Sequence, residues 1–275
     1  MRRRLKSLLC GGFVAVTALL VLLPIALVMV HALMSEQEIL SLFGSEGYAR
    51  LRLIPHRLTL QQYYRVLIEQ PEYLHTFWNS MGITLPIVAG QTLVGTLAAY
   101  ALGCYRFKGR TAVFFLYVAV MLMPSQATIV PNYIMVRRLG LLGGHASVIL
   151  PGIFGAFGVV LLRQFMAAVP REYLEAAKLD GAGPLRTLFR VVLPLVWGGV
   201  VSVVILCFVD SWGMVETPLV FLEEEKLYPL SVFLSGAKMS GTLFAASALA
   251  MTPPLLLFLA GRDELVRGIE LSGLK

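Results

Sequence analysis

Six long apolar runs, separated by polar segments, are the main feature of this chain. They cover residues 8–34, 79–103, 111–131, 146–166, 191–212 and 243–260. A membrane-spanning helix needs about 20 predominantly apolar residues. Inside a bilayer the backbone must satisfy its own hydrogen bonds, and uncharged runs of this length do so as helices. The pattern therefore predicts an all-α fold, in which residues 1–275 form a single polytopic transmembrane domain, a helical bundle of about six spans.

The composition favours a membrane protein over a soluble one. The chain is 57% hydrophobic and 14% charged, whereas soluble domains carry about 25% charged residues. The formal net charge of +7 does not come from one basic patch, because the Lys and Arg residues, apart from Arg163, lie outside the apolar runs. We therefore expect membrane lipid, and not nucleic acid, to surround this chain.

The basic residues also predict an orientation, because cytoplasmic loops of membrane proteins are enriched in Lys and Arg. With the N-terminus in the cytoplasm, 15 of the 23 Lys and Arg residues fall on the inner side. They are Arg2, Arg3, Arg4, Lys6, Arg106, Lys108, Arg110, Arg163, Arg171, Lys178, Arg186, Arg190, Arg262, Arg267 and Lys275. We expect a multi-pass protein with both termini in the cytoplasm.

The N-terminal third raises two questions of assignment. The run at residues 8–34 superficially resembles a signal peptide, but it is longer than the roughly 7–15 apolar residues of a signal core, which favours an uncleaved first span. The outer segment that follows, residues 35–78, contains an amphipathic stretch that predicts a helix leading into the second span. This helix either covers the bundle at the membrane interface or meets an external partner.

The motifs of common enzymes are missing from the sequence. It contains no GxxxxGK[ST] phosphate loop, GxSxG elbow or HExxH helix, so neither ATP hydrolysis nor other catalysis by this chain is expected. Cys10, Cys104 and Cys207 are far apart, and the four histidines have no ligand-like spacing, so no metal site is predicted. Asp210, in the outer part of the fifth run, keeps an ion-coupled secondary carrier open as an alternative, because acids within spans are costly and usually functional.

The polar loop at residues 167–190 interrupts this apolar pattern. Pro170 suits the first turn of a helix, Gly181 suits its left-handed end, and Pro184 suits the start of another helix. Helical spacing places Tyr173, Ala176, Ala177 and Asp180 on one side, with Glu175 at its edge. From the residues alone, an ordinary capped loop and a helix that docks on another protein remain equally good interpretations.

The spacing of this loop resembles a known motif. Glu175-Ala176-Ala177 is followed after three residues by Gly181, and after nine more by Val191-x-Leu193-Pro194. It resembles the EAA motif, EAA-x3-G-x9-I-x-LP, of the inner-membrane permease subunits of ATP-binding-cassette (ABC) importers, and Val191 is its only departure. Asp180 and Gly183 resemble the fuller form that contains DGA.

The resemblance extends to the segments 123–142 and 148–170 and to Phe77-Trp78-Asn79-Ser80, which are similar to carbohydrate-importer permeases of the maltose-permease type, the smaller six-span subunit. It implies the type I importer permease fold in the cytoplasmic membrane of a prokaryote. It also implies a second related permease, two ABC ATPase subunits and an extracytoplasmic solute-binding protein as partners. ATP-Mg would be bound by the ATPase, and this chain would need no cofactor.

The resemblance further implies roles for individual residues. The loop 167–190 would couple transport to the ATPase through Glu175, Ala176, Ala177, Asp180, Gly181, Gly183, Leu193 and Pro194. The substrate-path candidates are Asn79, Gln126, Asp210 and Trp212. Residues 35–78 and the loop at 220–238 would face the binding protein, and residues 271–275 of the tail 261–275 would contact the ATPases.

One departure leaves the substrate open. Many sugar permeases of this type carry Trp-Asn-Asp in span five, whereas this chain has Asp210-Ser211-Trp212-Gly213-Met214. A sugar or oligosaccharide is the expected cargo, and an amino acid or another solute is the alternative.

Overall fold

The computed structural model describes the backbone of residues 2–43 and 54–273, and the side chains of residues 10–43 and 54–266. Within these ranges the chain is helical apart from turns and short connections, and no strand occurs. The all-α prediction is therefore confirmed for the described residues. The expected ATPase contact of the tail falls partly on residues 274 and 275, which lie outside them.

The helices follow one another with short connections. In chain order they are α1 (Arg2–His31), α2 (Glu36–Phe43), α3 (Gln61–Tyr64), α4 (Pro71–Cys104), α5 (Arg110–Met121), α6 (Ser125–Arg138), α7 (Ala146–Ile153), α8 (Ala156–Ala167), α9 (Arg171–Leu179), α10 (Pro184–Thr187), α11 (Leu193–Leu195), α12 (Trp197–Trp212), α13 (Glu216–Phe221), α14 (Leu230–Gly236), α15 (Gly241–Ala250) and α16 (Thr252–Gly273). Two π-helical turns, Arg65–Glu69 and Leu188–Val192, continue α3 and α10, and a 3₁₀ turn covers Glu225–Leu227.

The contacts divide the chain into two compact units, of which the first holds residues 1–75 and 233–252. In this unit α1 packs against α15. The His31 ring stacks on Phe244, with centroids 5.0 Å apart, and Phe43 lies 5.6 Å from the same ring. Met34 and Ile39 are fully buried beside them. From Phe13 to Ile25, α1 keeps large apolar side chains exposed, as expected of a helix covered by lipid.

The second unit holds residues 76–232 and 253–275 and contains the larger apolar core. Its α8 packs against both α5 and α12. The buried cluster consists of Ala99, Tyr100, Leu162, Met166, Leu188, Val192, Val196, Val200 and Val203. On the α5 side, the Arg163 guanidinium lies 4.2 Å from the centre of the Phe114 ring, a cation–π geometry.

Small residues bring α4 close to α7 and α8 within this unit. A Cβ added at Gly103 would lie 2.9 Å from the Cβ of Met166, and one at Gly152 would lie 2.9 Å from Ile87. Such distances are shorter than ordinary carbon contacts, so the helices approach closely only because these side chains are missing. Small residues are favoured at membrane helix contacts for this reason.

The predicted spans correspond to continuous and to bent helical segments. By length and composition, four segments of the described chain are able to cross a membrane: Cys10–His31, Pro71–Cys104, Ala146–Ala167 and Gly241–Val266. Two further candidates pass this test only as bent pairs, α5 with α6 at 105° and Pro184–Leu195 with α12 at 83°. The number of six spans therefore remains a prediction.

The sequence predicts residues 111–131 and 191–212 as continuous runs, with Pro124 among the prolines that favour kinks inside the runs. The bend in the second of these runs was not predicted. Between α5 and α6, Pro124 adopts an extended backbone with φ −62° and ψ 143°. Proline also has no N–H with which to continue the hydrogen bonds of the preceding helix. Between α11 and α12, Val196 leaves the helical region at φ −108° and ψ 18°. Pro194 lies two residues before it.

The outer segment at residues 35–78 also differs in detail from its prediction. The amphipathic stretch forms α3 and the π-helical turn, which ends at Gln70 with φ −115° and ψ 83°. Because Pro71 then starts α4, the helix of the second span begins eight residues before the predicted Asn79. Residues 44–53 of this segment lie outside the described chain.

Candidate functional site: a polar helix end and a membrane cavity

The helix α9 ends in a well-defined turn at Gly181. Its φ of +72° is left-handed, a conformation that glycine adopts without steric cost. The N–H of Ala182 donates to the carbonyl of Ala177 at 2.9 Å, and the N–H of Gly181 donates to that of Lys178 at 3.0 Å. This pair of hydrogen bonds is a Schellman motif. The predicted helix end is confirmed, and α9 starts at Arg171, with Pro170 as its N-cap.

The exposed side of α9 carries most of the predicted coupling residues. Glu175, Ala176 and Asp180 are exposed, and Leu179 is 90% exposed. Acidic and apolar side chains thus share one accessible surface, which we call the α9 face and define as Tyr173, Glu175, Ala176, Leu179 and Asp180.

Ala177 does not lie on the α9 face. It is only 6% exposed, whereas the sequence grouped it with Tyr173, Ala176 and Asp180. Leu174, on the same inward side, packs against the large core cluster. The two adjacent alanines therefore point in different directions, Ala176 outwards and Ala177 towards the body of this chain.

Hydrogen bonds join the loop after α9 to the end of α4. The Tyr100 hydroxyl donates to the carbonyl of Pro184 at 3.2 Å and lies 3.1 Å from the Tyr105 hydroxyl. Since Tyr100 has a single proton, Tyr105 donates to it in this arrangement. Pro184 is the first residue of α10, as predicted, and the exposed Gly183 is its N-cap.

The last part of the motif continues into the core. Leu193 packs against the core cluster, while Pro194 is exposed within α11. Because Leu188 and Val192 of the π-helical turn are fully buried, the segment from Gly181 to Leu193 forms a packed connection between the α9 face and α12.

A second feature of the same unit is a cavity of about 620 Å³ that lies among α4, α5, α6, α7, α8 and α12. Four methionines and two phenylalanines supply much of its apolar lining: Met121, Met123, Met135, Met214, Phe154 and Phe157. Its polar side chains are Gln91, Thr128, Asn132, Asp210 and Ser211. A mostly apolar wall with a few polar groups is the usual make-up of a small-molecule site.

Only one of the four predicted substrate-path residues, Asp210, lines this cavity. Trp212 is buried, with its ring 5.6 Å from both Phe208 and Phe77. Phe208 lies nearly parallel to it, at 13°. In this structure Trp212 therefore packs inside the unit.

The other two candidates make contacts outside the cavity lining. The Asn79 amide donates to the carbonyls of Lys226 and Tyr228, at 2.7 and 3.1 Å, which ties α4 to the outer loop. The Gln126 amide donates to both carboxylate oxygens of Glu216, at 3.0 and 3.1 Å. Both side chains bind other parts of this chain in the structure.

Three polar residues of the cavity were missed by the sequence reasoning. Gln91 is a polar side chain inside an apolar run, a signal that points to a functional or paired group. Its amide oxygen accepts a hydrogen bond from the Cys207 thiol. Thr128 and Asn132 are four residues apart on α6, a spacing that places them on one helix face.

Comparisons with known proteins agree with these features. Residues 91–268 match the family described as binding-protein-dependent transport system inner membrane component. The arabinooligosaccharides transport system permease protein AraQ of Halalkalibacterium halodurans is 28% identical over 226 residues, 80% of this chain and 81% of the relative. The sn-glycerol-3-phosphate transport system permease protein UgpE of Pectobacterium atrosepticum is 31% identical over 198 residues, 70% of each chain.

A further relative and a solved structure extend the comparison. The lactose transport system permease protein LacG of Rhizobium radiobacter is 29% identical over 198 residues, 70% of this chain and 72% of the relative. The fold matches a chain from the crystal structure of a bacterial ABC transporter involved in the import of the acidic polysaccharide alginate, with a TM-score of 0.80. That match is 22% identical and covers 95% of this chain and 97% of the other.

The family match covers well over half of the chain, and the solved structure with a similar fold is a chain of an importer. The loop at residues 167–190 begins the EAA spacing, which continues to Leu193-Pro194. This chain belongs to the family of binding-protein-dependent transport system inner membrane components and is a permease subunit of an ABC importer.

Proposed function

We propose that this permease forms half of the translocation path for a sugar or oligosaccharide. The names of the relatives support a carbohydrate or polyol-derived cargo, since they refer to arabinooligosaccharides, sn-glycerol-3-phosphate and lactose. The cavity supports it chemically. Hydroxyl-rich solutes need hydrogen-bonding groups, which Asn132 and Asp210 offer. They also have apolar ring faces, for which Phe154 and Phe157 supply surface.

The α9 face is proposed as the place where ATP hydrolysis by another subunit reaches this chain. The observation that carries this proposal is the combination of a rigid, glycine-terminated helix with an exposed acidic and apolar surface. The helix is closed at its end by the Schellman turn and packs through Leu174 against the core cluster. Force applied at Glu175 and Leu179 would therefore reach α12 through the packed segment at residues 181–193.

The proposed assembly contains this chain, a second related permease, two ATPase subunits and an extracytoplasmic solute-binding protein. ATP-Mg would bind to the ATPase subunits, and this chain would need no cofactor of its own. Both termini and the α9 face would lie in the cytoplasm. The outer loop at residues 220–238, tied to α4 through Asn79, would then face the binding protein.

Charge reversal on the α9 face tests the coupling proposal. Glu175→Lys places a cation where a basic groove of the ATPase is expected, and like charges at an interface are strongly unfavourable. We expect uptake and copurification of the ATPase to be lost while the permease remains in the membrane. Asp263→Lys is the matched control, because its carboxylate is 79% exposed and its one neighbouring ion-pair partner is Arg262 in the adjacent position.

Two outcomes would contradict the proposal. Wild-type uptake by the Glu175→Lys protein would show that the α9 face does not couple transport to the ATPase. Prompt loss of uptake when the proton gradient is collapsed at constant ATP would instead favour an ion-coupled carrier.

A further inference from the structure

We infer that this permease transports uncharged sugars and rejects phosphorylated or acidic ones, and that Asp210 makes this distinction. The inference rests on the proposed sugar-import function and concerns the charge of the cargo. The similar proteins are named for cargoes that differ in charge. One is named for sn-glycerol-3-phosphate and another for the acidic polysaccharide alginate, whereas others are named for lactose and arabinooligosaccharides.

The first observation is the charge of the cavity wall. Among its lining residues the one ionisable side chain is the carboxylate of Asp210. No Lys, Arg or His lines the cavity in the described chain. Arg137 and Arg138 lie at the end of α6 and are exposed outside the lining. A phosphate or uronate that entered would therefore meet a like charge and no counter-ion from this wall.

An anion next to Asp210 would be unfavourable in free energy. Asp210 is exposed, and like charges near a protein surface still repel each other several times more strongly than in bulk water. An anion that loses its hydration shell without gaining a cation pays a large penalty. Two negative charges in one cavity therefore discriminate by repulsion, which is an effective way to achieve specificity.

The third observation is that the remaining polar groups suit neutral hydroxyls. A carboxylate accepts hydrogen bonds from sugar hydroxyls, and Asn132 both donates and accepts. The Thr128 hydroxyl donates its proton to the Ser125 carbonyl, so towards a substrate it acts as an acceptor. Ser211 is the neighbour of Asp210 on α12 and lines the same wall. The Gln91 amide oxygen is already occupied by the Cys207 thiol, so its NH₂ group is the part of that side chain able to serve a substrate oxygen.

The apolar lining fits the same class of cargo. The ring of Phe154 is largely exposed to the cavity side, and aromatic rings pack on the apolar faces of sugar rings. Methionines such as Met121 and Met123 adapt their flexible side chains to ligands of different shape. This wall therefore offers surface for sugar rings and partners for hydroxyl groups, and within the described chain it offers no cation to an anion.

The test compares neutral and anionic probes on the complete importer in cells that lack other uptake systems for them. The neutral probes are lactose, arabinotriose and a set of gluco- and galacto-oligosaccharides. The anionic probes are sn-glycerol-3-phosphate and an alginate trisaccharide. We expect uptake of at least one neutral probe and of neither anionic one. Uptake of an anionic probe at a comparable rate would overturn the inference and leave the importer proposal intact. Failure of every probe to enter or to stimulate ATP hydrolysis would overturn both.

Variants of Asp210 assign the distinction to this residue. Asp210→Asn should raise the half-saturating concentration of the neutral probe about tenfold, because hydrogen bonds to a charged group are stronger than neutral ones. The same variant should raise the ratio of anionic to neutral uptake about tenfold, since the repulsion is removed. Asp210→Glu keeps the charge and should keep the exclusion of anions.

A matched control separates this role from a structural one. Asp263→Asn makes the same chemical change at a carboxylate far from the cavity lining and should alter neither quantity. A protein that is merely destabilised would lose maximal uptake for all probes without a change in their ratio. If Asp210→Asn leaves both the half-saturating concentration and the ratio unchanged, the inference is wrong.

Discussion

Replacing Gly181 by asparagine or by valine asks whether the left-handed turn after α9 is needed for transport. Both side chains place a Cβ at the same point, and no other atom of this chain lies within 4 Å of it. Their difference is conformational, because asparagine tolerates the φ of +72° observed here, whereas a β-branched residue does not.

The free-energy cost of each substitution follows from the backbone conformation of Gly181 and the two hydrogen bonds of the turn. Holding valine at a positive φ costs about 2 kcal/mol, whereas asparagine costs well under 1 kcal/mol. A penalty of about 2 kcal/mol lowers the equilibrium constant for forming the intact turn roughly thirtyfold. It also opens the bonds from Ala182 to Ala177 and from Gly181 to Lys178, so the end of the α9 face loses its fixed position.

The assay is uptake of the transported sugar, with the amount of permease in the membrane measured by immunoblot. The Gly181→Val protein should transport at less than about a tenth of the wild-type rate, and Gly181→Asn should keep most of it. If both variants lose uptake equally, then the size of the added side chain at the contact with the partner decides transport. The argument from the positive φ of Gly181 would then be wrong. Full activity of Gly181→Val would refute the need for the turn.

Two further predictions concern the cavity and the orientation. Gly155→Ala should reduce uptake with little change in thermal stability, because its Cβ would displace the amide end of the flexible Gln91 side chain in the cavity wall. Gly82→Ala, with nothing within 4 Å, is the control, and equal uptake by the two variants would contradict the prediction. The orientation is tested with single cysteines in a cysteine-free background and a maleimide that does not cross the membrane. Glu225→Cys should be labelled from outside the cell, and Leu179→Cys should be labelled only in inverted vesicles. Labelling of Leu179→Cys from outside would show that the proposed orientation is wrong.

Local chemistry made the helix end at Gly181 predictable from the sequence. A charged helix followed by Gly181 and then Pro184 has few other conformations open to it, and the structure has that arrangement. The direction in which Ala177 points could not be predicted in the same way. It depends on Leu174 packing against a core built from α4, α8 and α12, which are distant in sequence.

The substrate-path residues show the same limit. Polar side chains near span ends have many available partners, and the sequence does not say which partner is reached. Asn79 binds carbonyls of the outer loop, and Gln126 binds Glu216. Trp212 packs into an aromatic stack with Phe208. The bend after Met121 lies at Pro124, a proline that favours a kink. Its size, and the bend before Trp197, could not be predicted, because a hydrophobic run gives the length of an apolar segment and not its direction.

Photo-cross-linking from α9 tests the central claim most directly, since it asks what covers the exposed helix in the assembled importer. A photoreactive amino acid at Leu179, which is 90% exposed, should capture the ATPase subunit in intact membranes, whereas the same group at Ala177, which is 6% exposed, should not. Efficient capture from position 179 alone is the result that this account predicts. No ATPase captured from position 179, in a complex that still transports sugar, would contradict the claim that ATP hydrolysis acts on this permease through the α9 face.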